Sequence, residues 1–327
     1  MKKATDIFSE LGRRLANFGQ SAADRSVVER ACWENPWFLP HEIRRAVTAI
    51  RTSYLDPDKL ASWIGSYDRP AALPAHRVLV IMAGNIPLVG FFDLLCVLMA
   101  GHRCQIKPSA KDTVLMEYVV GLLREIEPDI PVGFYDGETP VDAVIATGSD
   151  NANRYFRARY GGMKTLLRGN RHSVAVLRGD ETQEQLAALA DDMFAYSGLG
   201  CRNVSLLFVP QGTAVSLPPY ETHPKYRNNY LHRRALRTLC RQEFTDAGSA
   251  LLIRQPEFPQ ALSEISVIEY RTPQEAEQWL RAHDAELQCV VAAGIAHSRR
   301  VDFGEAQRPS LTDYPDAADV IEFLYTL

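Results

Sequence analysis

Long apolar runs, a basic excess and closely spaced cysteines are all missing from these 327 residues. The most apolar stretch, Ile86 to Ala100, carries Asp93 and is shorter than a bilayer crossing requires, so it reads as a buried helix and no membrane span is expected. Lys and Arg total 36 against 40 Asp and Glu, a formal net charge of −4. That balance excludes a general nucleic-acid or membrane-surface binder. After Lys2 and Lys3, the polar residues Asp6, Glu10, Arg13 and Arg14 interrupt the apolar positions. A secretory signal is therefore not expected, and a cytoplasmic location is. The six cysteines (32, 96, 104, 201, 240, 289) include no CxxC pair and read as thiols rather than a disulfide framework. Cys96, His102 and Cys104 match no common zinc spacing, so no metal site is expected. The G-x-G-x-x-G fingerprint is also missing, which argues against an ordinary Rossmann dehydrogenase.

What is present is a helical segment followed by α/β grammar. Phe8, Leu11, Leu15 and Phe18 recur at helical spacing, and Pro40 opens a further helix, so residues 5 to 66 read as helical. Tyr67 to Ala75, with Pro70 and Pro74, reads as a linker. Arg77 to Ala83 is a continuous apolar run suited to a strand buried on both faces. Helix Leu88–Ala100, strand Arg103–Ile106, helix Thr113–Ile126, apolar runs Val132–Tyr135 and Ala143–Ala146, and helix 150–159 follow. A second α/β series reads as strands Val174–Leu177, Val204–Val209, Val267–Tyr270 and Cys289–Ala293, with helices Gln183–Tyr196, Lys225–Ala247 and Thr272–His283. The alternation predicts parallel sheets covered by helices. The expected organisation is an N-terminal helical segment (1–70), a cofactor-binding α/β domain (71–195), a thiol-bearing α/β domain (196–305) and a tail (306–327) returning to a sheet edge, with a cleft between the two domains.

Three turns follow apolar strands and precede helices: Gly84-Asn85-Ile86-Pro87, Lys107-Pro108-Ser109 and Gly148-Ser149. Ligands of open α/β sheets bind at the carboxyl ends of strands, beside helix N-termini, so these turns suit phosphate or ribose contacts. They also suit plain helix caps. A fourth feature, Ser197-Gly198-Leu199-Gly200-Cys201-Arg202-Asn203, places two glycines beside a cysteine between a helix and a strand. Glycines let a substrate approach the backbone closely, which a nucleophilic thiol requires, although a small buried cysteine is the commoner fate.

The order G-N-I-P, K-P-S, T-G-S and G-x-G-C resembles the aldehyde dehydrogenase superfamily, and within it a short form of the fatty acyl-CoA reductases related to the bacterial bioluminescence reductase. Asn35-Pro-Trp-Phe38, Asp142 to Ser149, and Gln307 to Pro315 extend the resemblance from about residue 30 to the C-terminus. It implies an aldehyde-dehydrogenase-like fold, Cys201 as nucleophile, Asn85 as an oxyanion donor, and Lys107, Ser109, Gly148 and Ser149 as cofactor contacts. The implied reaction is NADPH-dependent reduction of an acyl-CoA or acyl-carrier thioester to an aldehyde, with NADH as the alternative cofactor. A hydrolytic aldehyde dehydrogenase, an acyl-phosphate reductase and an inactive cofactor-binding partner subunit are the competing readings.

Departures from the superfamily pattern are informative. The glutamate that activates water in hydrolytic relatives is replaced by Leu167, in Leu167-Arg168-Gly169-Asn170-Arg171. The ribose-binding glutamate has no clean match, Glu257 and Glu264 being nearest. Arg168 or Arg171 suits the extra phosphate of NADPH, or is simply solvated. The chain is shorter than most of the superfamily, which suggests a reduced oligomerisation arm and leaves homo-oligomerisation open. Between Thr222 and Gln242, Arg233, Arg234, Arg237 and Arg241 share roughly one helical face. That face suits CoA phosphates or an acidic carrier protein, or is a solvated surface.

Overall fold

Residues 2–70 and 73–327 are described by the computed structural model. Of the expected linker, Ala71 and Ala72 lie outside the described residues. The chain runs through helices α1 (Ala4–Arg14), α2 (Ala22–Glu34), α3 (Pro40–Tyr54) and α4 (Pro57–Gly65), as the helical spacing predicted. Ser21 and Asp24 form a reciprocal capping box at α2, and Asp56 caps α4. Then come β1 (Arg77–Ile81), α5 (Phe91–Met99), β2 (Arg103–Lys107), α6 (Thr113–Ile126), β3 (Val132–Phe134), β4 (Ala143–Thr147), α7 (Asp150–Tyr160) and β5 (Lys164–Arg168). The remainder is β6 (His172–Val176), α8 (Gln183–Phe194), β7 (Val204–Pro210), α9 (Pro224–Leu239), β8 (Thr245–Asp246), β9 (Leu251–Arg254), β10 (Glu264–Tyr270), α10 (Pro273–Ala282), β11 (Leu287–Ala292), β12 (Arg300–Val301) and α11 (Val320–Tyr325).

Two compact units result, one ending at Asn170 and rejoined by Ser310–Leu327, the other spanning Arg171–Pro309. The change falls at 170/171 rather than at the expected 195/196, because β6 pairs with β7 and β11 in the second sheet. In the first unit the parallel order is β3-β2-β1-β4-β5. Strand order reverses at β1/β4, the topological switch point where such sheets open a crevice. Helices α1–α6 bury Phe8, Leu11, Ile43, Leu60, Leu94 and Leu95 against one face of this sheet. In the second unit the order is β12-β11-β6-β7-β10-β9-β8, parallel except for the β8/β9 pair.

Two further expectations are corrected. The tail forms a helix rather than a strand at a sheet edge, because Asp319 accepts the Ile321 and Glu322 amides at 2.9 and 3.0 Å and nucleates α11. The helix expected over 225–247 stops at Leu239: Arg241 takes a left-handed φ of 53°, and Thr245–Asp246 pair antiparallel with β9. Strands β5 and β9, short and flanked by charge, carried too weak an apolar signal to be read from the sequence.

Candidate active site

In the first unit, Ile81 lies level with both Lys107 and Ala146, so β2, β1 and β4 end together at the carboxyl edge of the sheet. The three turns singled out in the sequence therefore line one edge, around the switch point. Asn85 is exposed on the turn after β1. Lys107 is the exposed last residue of β2, and its carbonyl accepts the Met82 amide at 3.0 Å. Gly84 is indispensable here: a Cβ on it would stand 2.6 Å from the Ser109 Cβ, so only glycine lets these two turns touch. Gly148 donates its amide to the Arg168 carbonyl at 3.1 Å, and a Cβ on it would meet that of Ala152 at 2.9 Å. The Ser149 hydroxyl caps α7 by accepting the Ala152 amide at 3.4 Å. The N-terminal turn of α7 is what this edge offers an anion, the Gly148 amide being already engaged.

In the second unit, Cys201 is exposed on the turn entering β7, at the amino edge of the sheet. The approach to it is strained. Tyr196, Ser197 and Gly198 take consecutive left-handed φ values of 52°, 58° and 68°. For the two non-glycine residues such a conformation is costly and persists only where the surroundings enforce it. The enforcing residue is buried Asn203. Its Oδ1 accepts the Gly200 amide at 2.8 Å, and its Nδ2 donates to the carbonyls of Asp192 and Ala195 at 3.1 and 3.0 Å. Ser173, from β6, donates its hydroxyl to the Cys201 carbonyl at 2.9 Å. Asp192 is fully buried on α8 and accepts the amides of Gly304 and Ala306 at 2.7 and 3.0 Å. Burial raises its pKa to about 7, against the pull of those two donors. Arg202 also donates to the Ala306 carbonyl, so residues 302–306 are tied to the thiol turn from two sides.

The profile of the family described as acyl-CoA reductase (LuxC) matches residues 56–219, half of the chain. The chain belongs to the LuxC acyl-CoA reductase family. All four motif turns of this LuxC-family chain lie inside the matched span. No curated protein matches it by sequence. Among solved structures it is similar to aldehyde dehydrogenase 21 from Physcomitrella patens, in complex with succinate, at 10% identity and a TM-score of 0.69, covering 99% of this chain and 83% of that one. An aldehyde dehydrogenase from Bacillus cereus in complex with NAD+ is similar at 14% identity and a TM-score of 0.62, over 89% and 72% of the two chains. So is a 3,6-anhydro-L-galactose dehydrogenase in complex with NAP, at 14% identity and a TM-score of 0.61, over 93% and 85%. The fold is that of aldehyde dehydrogenases, and with the family it makes this LuxC-family chain an aldehyde-related oxidoreductase. No helix among the described residues is long and apolar enough to cross a membrane.

Several charged residues take roles other than those the sequence suggested. Arg168 is 2% exposed and binds both carboxylate oxygens of Asp93 through Nη1, at 2.8 and 2.9 Å, so it is not presented to a cofactor phosphate. Glu264 is buried between Arg233 and Arg237, with contacts of 2.8 Å to each. Burial pushes its carboxyl up, and the two guanidinium groups outweigh that and hold it below the usual range. This clamp removes Glu264 as a ribose ligand and two of the four arginines from the proposed carrier-binding face. Arg234 pairs with Asp246 at 3.3 Å. Asn35, from the Asn-Pro-Trp-Phe stretch, donates to the Lys111 carbonyl at 3.2 Å and so supports the turn after β2. Among the described residues no group of three or more His, Cys, Asp and Glu is arranged to hold a metal. His102 instead bonds the His76 amide at 3.1 Å and the Leu324 carbonyl at 3.0 Å.

Proposed function

We propose that this protein reduces an acyl thioester, acyl-CoA or an acyl carrier, to the aldehyde with NADPH, through an acyl group held on Cys201. The observation that carries this reading is the exposed Cys201 on a pinned, strained turn, inside the segment that matches the acyl-CoA reductase family. In the proposed reaction the Cys201 thiolate attacks the carbonyl carbon and a C–S bond forms. The carbonyl oxygen takes the negative charge and is stabilised by hydrogen bonds from Asn85 and the Cys201 amide, the electrostatic contribution that is usually largest in acyl transfer. Collapse of this tetrahedral species expels the carrier as a thiolate and leaves the acyl group on Cys201. Lys107, Ser109, Gly148 and Ser149 would hold a nicotinamide dinucleotide, which would supply the hydride when bound. Collapse of the resulting thiohemiacetal returns the thiolate to Cys201 and releases the aldehyde.

Leu167 supports thioester chemistry over hydrolysis. It ends in the apolar cluster of Leu79, Ile81, Val144, Ala146 and Tyr160, and its side chain has no group to take a proton from water. The deciding experiment supplies aldehyde, NADP+ and excess CoA and weighs the products. Acyl-CoA as the main product, absent in Cys201→Ala, supports the reductase; free acid as the main product makes the protein a hydrolytic dehydrogenase. NADPH oxidation against a panel of acyl-CoAs, with aldehyde detection, tests the forward direction.

A further inference from the structure

Asp112 occupies the N-cap position of α6 but makes no capping hydrogen bond to that helix. Its side chain is turned the other way. Oδ2 accepts the Leu88 amide at 2.7 Å, in the loop that carries Asn85, while Oδ1 is buried without a hydrogen-bond partner. Leu88 has a φ of 58°, a left-handed conformation unfavourable for a leucine and sustained only by its surroundings. The same two segments interlock at Gly84, whose hydrogen faces the Ser109 side chain where no Cβ would fit. Asn35 fastens the second segment from behind through the Lys111 carbonyl. A buried carboxyl that gives up capping its own helix to hold one amide of another loop is doing something for that loop.

We infer that Asp112 is a positioning residue that fastens the Asn85 loop onto the Lys107–Ser109 turn, holding the oxyanion donor in register with the cofactor contacts. The inference rests on the reading of Asn85 and Ser109 given above. It requires an acceptor oxygen at residue 112, not a negative charge. Burial pushes the Asp112 carboxyl well above the usual range, consistent with a neutral group. Asp112→Asn keeps the acceptor and the shape, whereas Asp112→Ala removes the acceptor and orphans the Leu88 amide.

The test measures three quantities on the full chain: amide exchange of the peptide covering residues 84–90, NADPH affinity by fluorescence, and kcat and KM for an acyl-CoA. Asp112→Ala is expected to speed exchange in that peptide and to lower kcat by roughly tenfold or more, the scale of one buried hydrogen bond lost, with NADPH affinity within about twofold. Asp112→Asn is expected to bring both exchange and kcat back towards wild type. Unchanged exchange in Asp112→Ala overturns the inference, as does an Asn variant no better than the Ala variant. Should Ala be too unstable to purify, Asp112→Leu, which fills the space but offers no acceptor, takes its place, and wild-type exchange in that variant overturns the inference. Exchange needs no turnover, so a wild-type protein that fails to reduce any thioester sinks the functional reading while the fastening is still judged on its own data.

Discussion

Asn203 accepts the amide of Gly200 at 2.8 Å, so a residue two positions after the thiol holds the residue just before it. The Asn203 Nδ2 also donates to two carbonyls at the end of α8, and in doing so it fixes the Cys201 turn on the body of the second unit. Asn203→Ala leaves one buried donor and two acceptors without this partner, a loss on the order of 1–3 kcal/mol. The variant is expected to melt at lower temperature and to show a changed alkylation rate at Cys201. Asn203→Asp keeps the acceptor for Gly200 but sets a carboxylate oxygen against the two carbonyls, so it is expected not to restore the wild-type stability.

Cysteine labelling distinguishes the thiols. Cys96, Cys104 and Cys289 are buried, and burial raises the pKa of Cys96 and Cys104, while Cys201 and Cys240 are exposed. A limiting thiol reagent is expected to modify these two first. Acyl-CoA is expected to protect Cys201 alone, and Cys240→Ser to leave thioester reduction intact. Equal protection of both cysteines, or of neither, counts against Cys201 as the acyl carrier.

Asn85 is expected to act on the transition state rather than on cofactor affinity. Asn85→Ala is predicted to lower kcat by roughly a hundredfold or more, the scale for a missing oxyanion donor, with little change in NADPH binding. Collapse of NADPH affinity with turnover preserved at saturation assigns Asn85 to the cofactor instead.

Asp192 sets a pH dependence of stability whose sign is determined. Its pKa is raised to about 7 in the folded protein, above the unfolded value of about 4. Between these values the folded chain holds a proton that the unfolded chain has released, so this group's contribution to stability is full below pH 4 and is lost as pH rises through about 7. Urea midpoints measured from pH 4 to 8 on wild type and Asp192→Asn are expected to differ by that slope. Parallel curves for the two proteins disprove the raised pKa.

Arg168 is expected to be a stability residue. Arg168→Met leaves Asp93 buried without its partner, at a cost of about 3–5 kcal/mol. The double replacement Asp93→Leu with Arg168→Met is expected to recover much of that loss. The corresponding measurement is the denaturation midpoint of each variant, with NADPH affinity of the folded protein little changed.

The residues legible in the sequence alone were those whose behaviour is local. Apolar periodicity marked the N-terminal segment as helical throughout, though not its division into four helices, and marked β1, β2, β4, β7 and β11, because burial on one or both faces repeats along the chain itself. Turn chemistry marked Gly84, Gly148 and the Ser197–Cys201 segment, since glycine is needed where backbones touch or φ turns positive. What the tertiary structure decided is the partner of each buried polar group. Asp93 with Arg168, Glu264 with Arg233 and Arg237, and Asp112 with Leu88 are separated along the chain by distances no local pattern encodes. A charge on a helix face reads as solvated until the fold places an opposite charge against it, and a buried carboxylate without such a partner is too costly to persist. For the same reason the sequence assigned four arginines to a carrier-binding surface, while packing committed two of them to Glu264.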